Sequence, residues 1–196
     1  PETIQQTVAA LCPCATSIPL GERPEGDSAV RAIQQVLAKA EQVDVLAVGP
    51  GMGGGPGREA IARAVLSQET PVVLDADGLN NLASMSEWPE VVRCPLVLTP
   101  HPGEMARLTG RPIQDIQADR ERAAIVAQAE WAGSSRPRNP VVVLKGAGTI
   151  VTDGERLYVN DTGNPGMATG GTGDVLTGLI AALIAQGLDP FDAACL

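Results

Sequence analysis

Four short runs in this chain are mostly apolar and do not alternate: Val43–Gly49 (VDVLAVG), Pro71–Asp75 (PVVLD), Leu96–Thr99 (LVLT) and Val141–Lys145 (VVVLK). A strand with one face in water alternates apolar and polar residues. A mostly apolar run of four to seven residues instead predicts a strand covered on both faces. Patterns with helical spacing lie between these runs. In the first, Ser28 is placed to cap a helix whose Ala29, Ile33, Val36, Leu37 and Ala40 share one face. Arg58–Gln68 and Asp119–Trp131 are further helical segments, and another runs from Gly170 to about Gln186, with Gly187 as its C-cap. The segment TIVTDGERLYVN, residues 149 to 160, interrupts the alternation. Its Asp153-Gly154 pair predicts an antiparallel hairpin at the sheet edge. The expected architecture is therefore α/β, three-layered, with a mostly parallel central sheet and ligand-binding loops at the carboxyl ends of its strands.

Composition narrows the function. The 196 residues are 44% hydrophobic but only 2% aromatic, so one domain spanning residues 1–196 is expected around an aliphatic core. A net charge of −9 argues against nucleic acid or an anionic membrane as partner, because both call for a basic face. No run of about 18 apolar residues predicts a membrane span. The four cysteines lack zinc spacing. Cys12-Pro13-Cys14 is open to a redox or metal reading, but reduced structural thiols in a cytoplasmic protein fit better. Starting at Pro1 and stopping at Leu196 just after a helix start at Pro190, the chain is expected to be a fragment truncated at both ends.

Four loops at predicted strand ends carry candidate chemistry. In GPGMGGGPG, residues 49 to 57, Gly49, Gly51 and Gly54 satisfy G-x-G-x-x-G, and Asp75 follows 26 residues after Gly49. Pro50 and Pro56 remove N–H donors, so a flexible strand-to-helix loop competes with a dinucleotide site. In VLDADGLNNL, residues 73 to 82, Asp75 and Asp77 are open to three readings: magnesium ligands, hydroxyl acceptors, or caps for the turn and helix. In LTPHPGEMARLTG, residues 98 to 110, prolines on both sides fix His101, which favours a ligand contact over a structural role, while Glu104 suits the first turn of a helix. In VVVLKGAGTIV, residues 141 to 151, Lys145 leaves a strand into a glycine loop, as a phosphate partner or as a lysine snorkelling to the surface.

The fifth motif is NPGMATGGTGDVLTG, residues 164 to 178. Glycines crowd the start of an apolar helix, where unpaired N–H groups and the helix dipole attract anions. Asp174 sits at that junction. A cap is the simple explanation, yet capping requires no such glycine cluster. Beside a phosphate held by backbone donors, Asp174 reads as the general base for an attacking hydroxyl, with Gly171, Thr172 and Gly173 as the anion hole.

Gly171-Thr172-Gly173-Asp174 resembles the anion hole of the ribokinase-like superfamily. Taken with GPGMG, LDADGLN, LTPHPGE and LKGAGTIV in matching order over residues 44 to 190, the chain is similar to the ADP/ATP-dependent NAD(P)H-hydrate dehydratases. The resemblance implies a ribokinase-like fold and phosphorylation of the hydroxyl of hydrated NADH or NADPH, with loss of phosphate restoring the cofactor. It assigns the base and a substrate contact to Asp174, the substrate pocket to Gly51 and His101, and the adenine nucleotide to Lys145, Gly146, Ala147, Gly148, Thr149 and Gly173. ADP is the expected co-substrate, with ATP as the other choice and Mg2+ as helper ion, and no residue of the chain is assigned as a metal ligand. A homo-oligomer is expected, and some members of the family carry a fused epimerase domain. Competing readings are a ribokinase-like kinase for a vitamin precursor such as hydroxyethylthiazole, an NAD-dependent oxidoreductase built on GPGMGG, and a non-catalytic nucleotide sensor.

Overall fold

In the computed structural model, which describes residues 4–20, 27–132 and 139–196, six strands form one sheet. They are β1 (Leu46–Val48), β2 (Val72–Leu74), β3 (Leu96–Leu98), β4 (Val141–Leu144), β5 (Ile150–Thr152) and β6 (Leu157–Val159), and they lie side by side in chain order. β1 to β4 run parallel, whereas β5 and β6 are antiparallel to their neighbours. The predicted hairpin is therefore present. Its connection is longer than an Asp-Gly turn, because Thr152 pairs with Leu157 and leaves four residues between them. Asp153 sets that length by accepting, on Oδ1, the N–H groups of Glu155 (3.0 Å) and Arg156 (2.7 Å).

Before and between the parallel strands run α1 (Gln5–Leu11), α2 (Asp27–Ala40), α3 (Pro56–Leu66), α4 (Asp77–Ala83), α5 (Trp88–Val91), α6 (Pro102–Thr109), α7 (Ile113–Ala118) and α8 (Arg120–Trp131). A 3-10 turn (Pro165–Met167), α9 (Thr172–Ala185) and α10 (Pro190–Cys195) follow the hairpin. Parallel strands in sequence order, joined by right-handed crossovers, put every connecting helix on one face of the sheet. The opposite face is left for α9, which packs on β1 and β2, and α10, which packs on β3, β4 and β5.

Side-chain alternation sorts the core accordingly. Val72, Leu74, Leu96, Leu98, Val142, Leu144 and Ile150 face the crossover helices. Val73, Val97, Val141, Val143 and Val151 face Ile180, Ala181 and Ile184 of α9 and Phe191 of α10. Two of the four aromatics, Trp88 and Trp131, meet edge to face with centroids 5.5 Å apart.

Several boundaries differ from expectation for local reasons. β1 is an edge strand, so Ala47 is exposed and Leu46 and Val48 are only half-buried, although the run VDVLAVG reads as fully covered. α2 starts at Asp27, which places Ser28 inside the helix rather than ahead of it. α3 starts at Pro56, two residues early, because proline suits the first helical position, where no N–H partner is needed. α8 is capped by Asp119, which accepts from the Arg122 N–H at 3.0 Å. At the end of α9, Gln186 occupies the C-cap and Gly187, with φ +95°, the position after it. The bonds Gly187 N–H to Ile184 O and Leu188 N–H to Leu183 O complete a Schellman motif.

Candidate active site

The carboxyl ends of β1, β2 and β4 meet at Asp75. The approach begins in the backbone. Gly49 has φ +131°, and a Cβ there would overlap the carbonyl oxygen of Asp75 and stand 2.8 Å from the Gly78 nitrogen. Only glycine lets the loop after β1 lie against the end of β2. That loop is then pinned at Gly53. Its N–H donates to Asp77 Oδ2 (2.8 Å) and its carbonyl accepts from Asn81 Nδ2 (2.7 Å). Asp77 thus serves as an acceptor for the loop, and the N-cap of α4 is Ala76 rather than either aspartate. Gly51 has nothing within 4 Å of its Cβ position and borders open space.

Asp75 itself is 1% exposed. Oδ1 accepts from Lys145 Nζ at 2.5 Å, and Oδ2 accepts from Thr177 Oγ1, on α9, at 3.0 Å. Lys145 is therefore not a surface lysine, and its ammonium is paired with Asp75. Its side chain is largely buried, its N–H donates to Pro100 O, and its ammonium lies 3.9 Å from Oε2 of buried Glu104. An unpaired ammonium in such a place would lose much of its hydration without compensation; two carboxylates supply the compensation.

Glu104 connects this cluster to His101. The histidine caps α6: its Nδ1 accepts from the N–H groups of Gly103 (2.9 Å) and Glu104 (3.3 Å), while Glu104 Oε2 accepts from the His101 N–H (2.8 Å). Two N–H groups aimed at Nδ1 require a lone pair there, so the neutral ring carries its proton on Nε2. The side chain is half exposed, which leaves that Nε2–H at the surface, 3.5 Å from Glu104 Oε1.

After Lys145 the loop from Gly146 to Thr149 folds on itself. Thr149 Oγ1 donates to Gly146 O (3.0 Å) and accepts from the Gly146 N–H (3.3 Å), leaving Gly146, Ala147 and Gly148 exposed. Arg120, which the sequence does not single out, supports this loop by donating from Nη2 to Leu144 O (3.0 Å) and Gly148 O (3.4 Å). Burial lowers its pKa, and its Nε is buried without a partner among the described residues.

The α9 junction completes the site. Gly171, at φ +89°, is the N-cap and makes no side-chain cap. The Thr172 N–H turns back to Thr169 O, and the Val175 N–H closes the first helical bond on Gly171 O. Between them, the N–H groups of Gly173 and Asp174 have no partner among the described residues. Asp174 is exposed, with no hydrogen bond or ion pair among the described residues, so it is not the cap of α9. Gly173 rests on the Asp75 cluster, since a Cβ there would lie 3.4 Å from both Asp75 Oδ2 and Lys145 Nζ.

The fold thus joins Gly173, Lys145 and, through Glu104, His101 in one connected set, with the Gly146–Thr149 loop attached to it. Gly51 borders the same edge but bonds to none of them. Two N–H groups at a helix N-terminus without partners among the described residues are able to receive an anion, and an exposed carboxylate in the same turn is able to accept a proton. Among the described residues, no group of three or more His, Cys, Asp or Glu side chains could hold a metal. Among the described residues no two cysteines are joined in a disulfide, and the Cys94 thiol donates to Leu66 O.

A family model described as NAD(P)H-hydrate dehydratase matches residues 8–196. The bifunctional NAD(P)H-hydrate repair enzyme of Moorella thermoacetica is 43% identical over 199 residues, which is 100% of this chain and 36% of that protein. The ADP-dependent (S)-NAD(P)H-hydrate dehydratase of Neisseria meningitidis is 43% identical over 164 residues, 81% of this chain and 53% of that one. Among solved structures, the ADP/ATP-dependent NAD(P)H-hydrate dehydratase of Bacillus subtilis, co-crystallised with ATP and Mg2+, superposes with a TM-score of 0.75 at 30% identity. The match covers 99% of this chain and 63% of that one. The chain therefore spans about a third to two thirds of the length of the proteins it resembles.

Proposed function

The chain belongs to the NAD(P)H-hydrate dehydratase family, with the ribokinase-like three-layer fold, and we propose that it repairs hydrated NADH and NADPH by nucleotide-driven dehydration. The observation that carries this reading is the first turn of α9, where two N–H groups and a carboxylate, all without partners among the described residues, lie within one helical turn. A phosphate cradle alone does not call for Asp174; a cradle in which a hydroxyl must attack phosphorus does.

In this reading, Asp174 takes the proton of the substrate hydroxyl as its oxygen attacks the terminal phosphorus of ADP, and AMP leaves. The N–H groups of Gly173 and Asp174 stabilise charge developing on the transferred phosphoryl group. The ester C–O bond then breaks, with its electron pair leaving on phosphate. Loss of a proton from the neighbouring ring carbon restores the double bond. Phosphorylation is the necessary step because hydroxide leaves poorly and phosphate leaves well. Gly51 and the Nε2–H of His101 face the hydrate, and the exposed Gly146–Gly148 backbone faces the nucleotide. Magnesium commonly arrives on nucleotide phosphates, held by one or two carboxylates at most. The described side chains form no cage for it, and no step above depends on a bound ion.

We further propose the cytoplasm as its compartment, in keeping with four cysteines and no disulfide among the described residues, and an epimerase, fused or separate, working beside it. The test is recovery of absorbance at 340 nm when the full-length protein meets hydrated NADH, ADP and Mg2+, with AMP and phosphate appearing in equal amounts. If absorbance stays flat with both ADP and ATP, the reading fails.

A further inference from the structure

The acidic residue deepest in the site is the one to which the proposed chemistry gives no task. Asp75 is 1% exposed, and each of its oxygens is committed to a different element: Oδ1 to Lys145 at the end of β4, Oδ2 to Thr177 on α9. These partners lie 70 and 102 residues away in sequence. Thr177 is one turn below Gly173 on the same helix face, so its hydroxyl reports directly on where the α9 cradle sits. That hydroxyl has one proton and two acceptors at 3.0 Å, Asp75 Oδ2 and Gly173 O, and the ionised acceptor is the stronger. Lys145 Nζ has three donors, of which Asp75 takes one, and its position 3.4 Å from the Gly173 Cβ site places the ammonium directly beneath the cradle. A carboxylate so close under a phosphate site would repel the ligand if it were not neutralised. The ion pair removes that repulsion and turns the aspartate into an anchor.

We propose that Asp75 is a positioning residue. It fastens the first turn of α9, through Thr177, and the Lys145 ammonium in one register beneath the phosphate being transferred. The inference rests on the dehydratase reading, and it adds a requirement which that reading does not contain: the cradle works only while it is tied to the end of β2.

The test compares Asp75→Asn, Thr177→Val and Thr177→Ser in the full-length protein, with thermal melting to establish that each folds. In Asp75→Asn and Thr177→Val, kcat is expected to fall about 10- to 100-fold, as for a reacting group displaced by up to an ångström. The KM for the hydrate should stay within about threefold, because its own contacts are untouched. Thr177→Ser, which keeps the hydroxyl, should recover most of the lost kcat. Calorimetry should show ADP weakened about tenfold in Thr177→Val while adenosine, which lacks the phosphates, binds as before. Should Asp75→Asn fail to fold, the Thr177 pair carries the test alone. Wild-type kcat in Thr177→Val, or a Thr177→Ser variant as slow as Thr177→Val, overturns the inference. A wild-type protein that does not restore 340 nm absorbance defeats the dehydratase reading instead. The ADP and adenosine affinities then decide the positioning role, and equal ADP affinities in wild type and Thr177→Val refute it.

Discussion

Replacing Gly49 by alanine adds one methyl group, and the structure indicates where it goes. It enters the carbonyl oxygen of Asp75 and comes within 2.8 Å of the Gly78 nitrogen and 2.9 Å of the Asp75 carbonyl carbon. All three are backbone atoms, so no side chain can rotate away. The 2.9 Å bond from the Gly78 N–H to Asp75 O, which opens α4, lies in the path of any backbone retreat. Two costs combine. Alanine at φ +131° is strained by about 1–3 kcal/mol. Forcing apart a packed contact costs about 1–3 kcal/mol more. With a urea m-value of about 2 kcal/mol per molar, a combined loss near 4 kcal/mol lowers the unfolding midpoint by about 2 M. Gly51→Ala is the matched control. At φ +66° with nothing within 4 Å, it should lose only about 1–2 kcal/mol, the cost of left-handed backbone. Urea titrations followed by far-UV circular dichroism measure both. The reasoning is refuted if Gly49→Ala unfolds within about 0.5 M of wild type, or if the two variants lose equal stability. Kinetics should show the reverse order, with Gly51→Ala raising the KM for the hydrate, since its methyl group enters open space at the proposed pocket.

Four other outcomes are expected. Asp174→Asn should lower turnover about 10²- to 10⁴-fold, as for loss of a general base, while ADP affinity persists; unchanged turnover would remove Asp174 from the mechanism. Trp131→Ala removes a buried ring packed on Trp88 and should cost about 3–5 kcal/mol by denaturant titration, with loss of the near-UV signal. Ala76, the only described non-glycine residue with positive φ (+49°), should gain up to about 1 kcal/mol on change to glycine, with relief of strain offset by chain entropy; a lower melting temperature would contradict this. Burial raises the Asp153 and Asp189 pKa values, but hydrogen bonds from Arg156 outweigh it and hold both carboxyls below the usual range. Groups with depressed folded values stabilise the protein above their unfolded pKa of about 3.9 and lose that contribution as pH falls through the folded value. Melting temperature should therefore drop below about pH 4, and Arg156→Ala should flatten that part of the profile.

Much of the site was legible because its chemistry is local. Gly171-Thr172-Gly173-Asp174 announces a helix start with free N–H groups, and that geometry depends on neighbouring residues alone. The parallel strands were legible for a similar reason, since Val141–Leu144 is apolar in every position only if helices cover both faces. The edge character of β1 was not, because VDVLAVG looks the same whether or not another strand lies beside it. Nor were the roles of Asp75, Arg120 and Thr177. Arg120 and Thr177 are ordinary polar residues in their own segments, and Asp75 reads equally well as a metal ligand, a hydroxyl acceptor or a cap. The deciding partners are distant in sequence.

The sequence alone determined the strands, the longer helices, their order and the glycine-rich turns, because periodicity, capping and turn chemistry act over a few residues. The short helices α1, α5 and α7 carry too few residues for a period to show. Only the tertiary structure decided which side chains meet. Strands laid in chain order send every crossover helix to one face, leaving the other to α9. That placement brings Thr177 to Asp75, and Asp75 to Lys145. A buried carboxylate must be neutralised wherever the fold puts it, and that requirement selected its partners across 70 and 102 residues of chain.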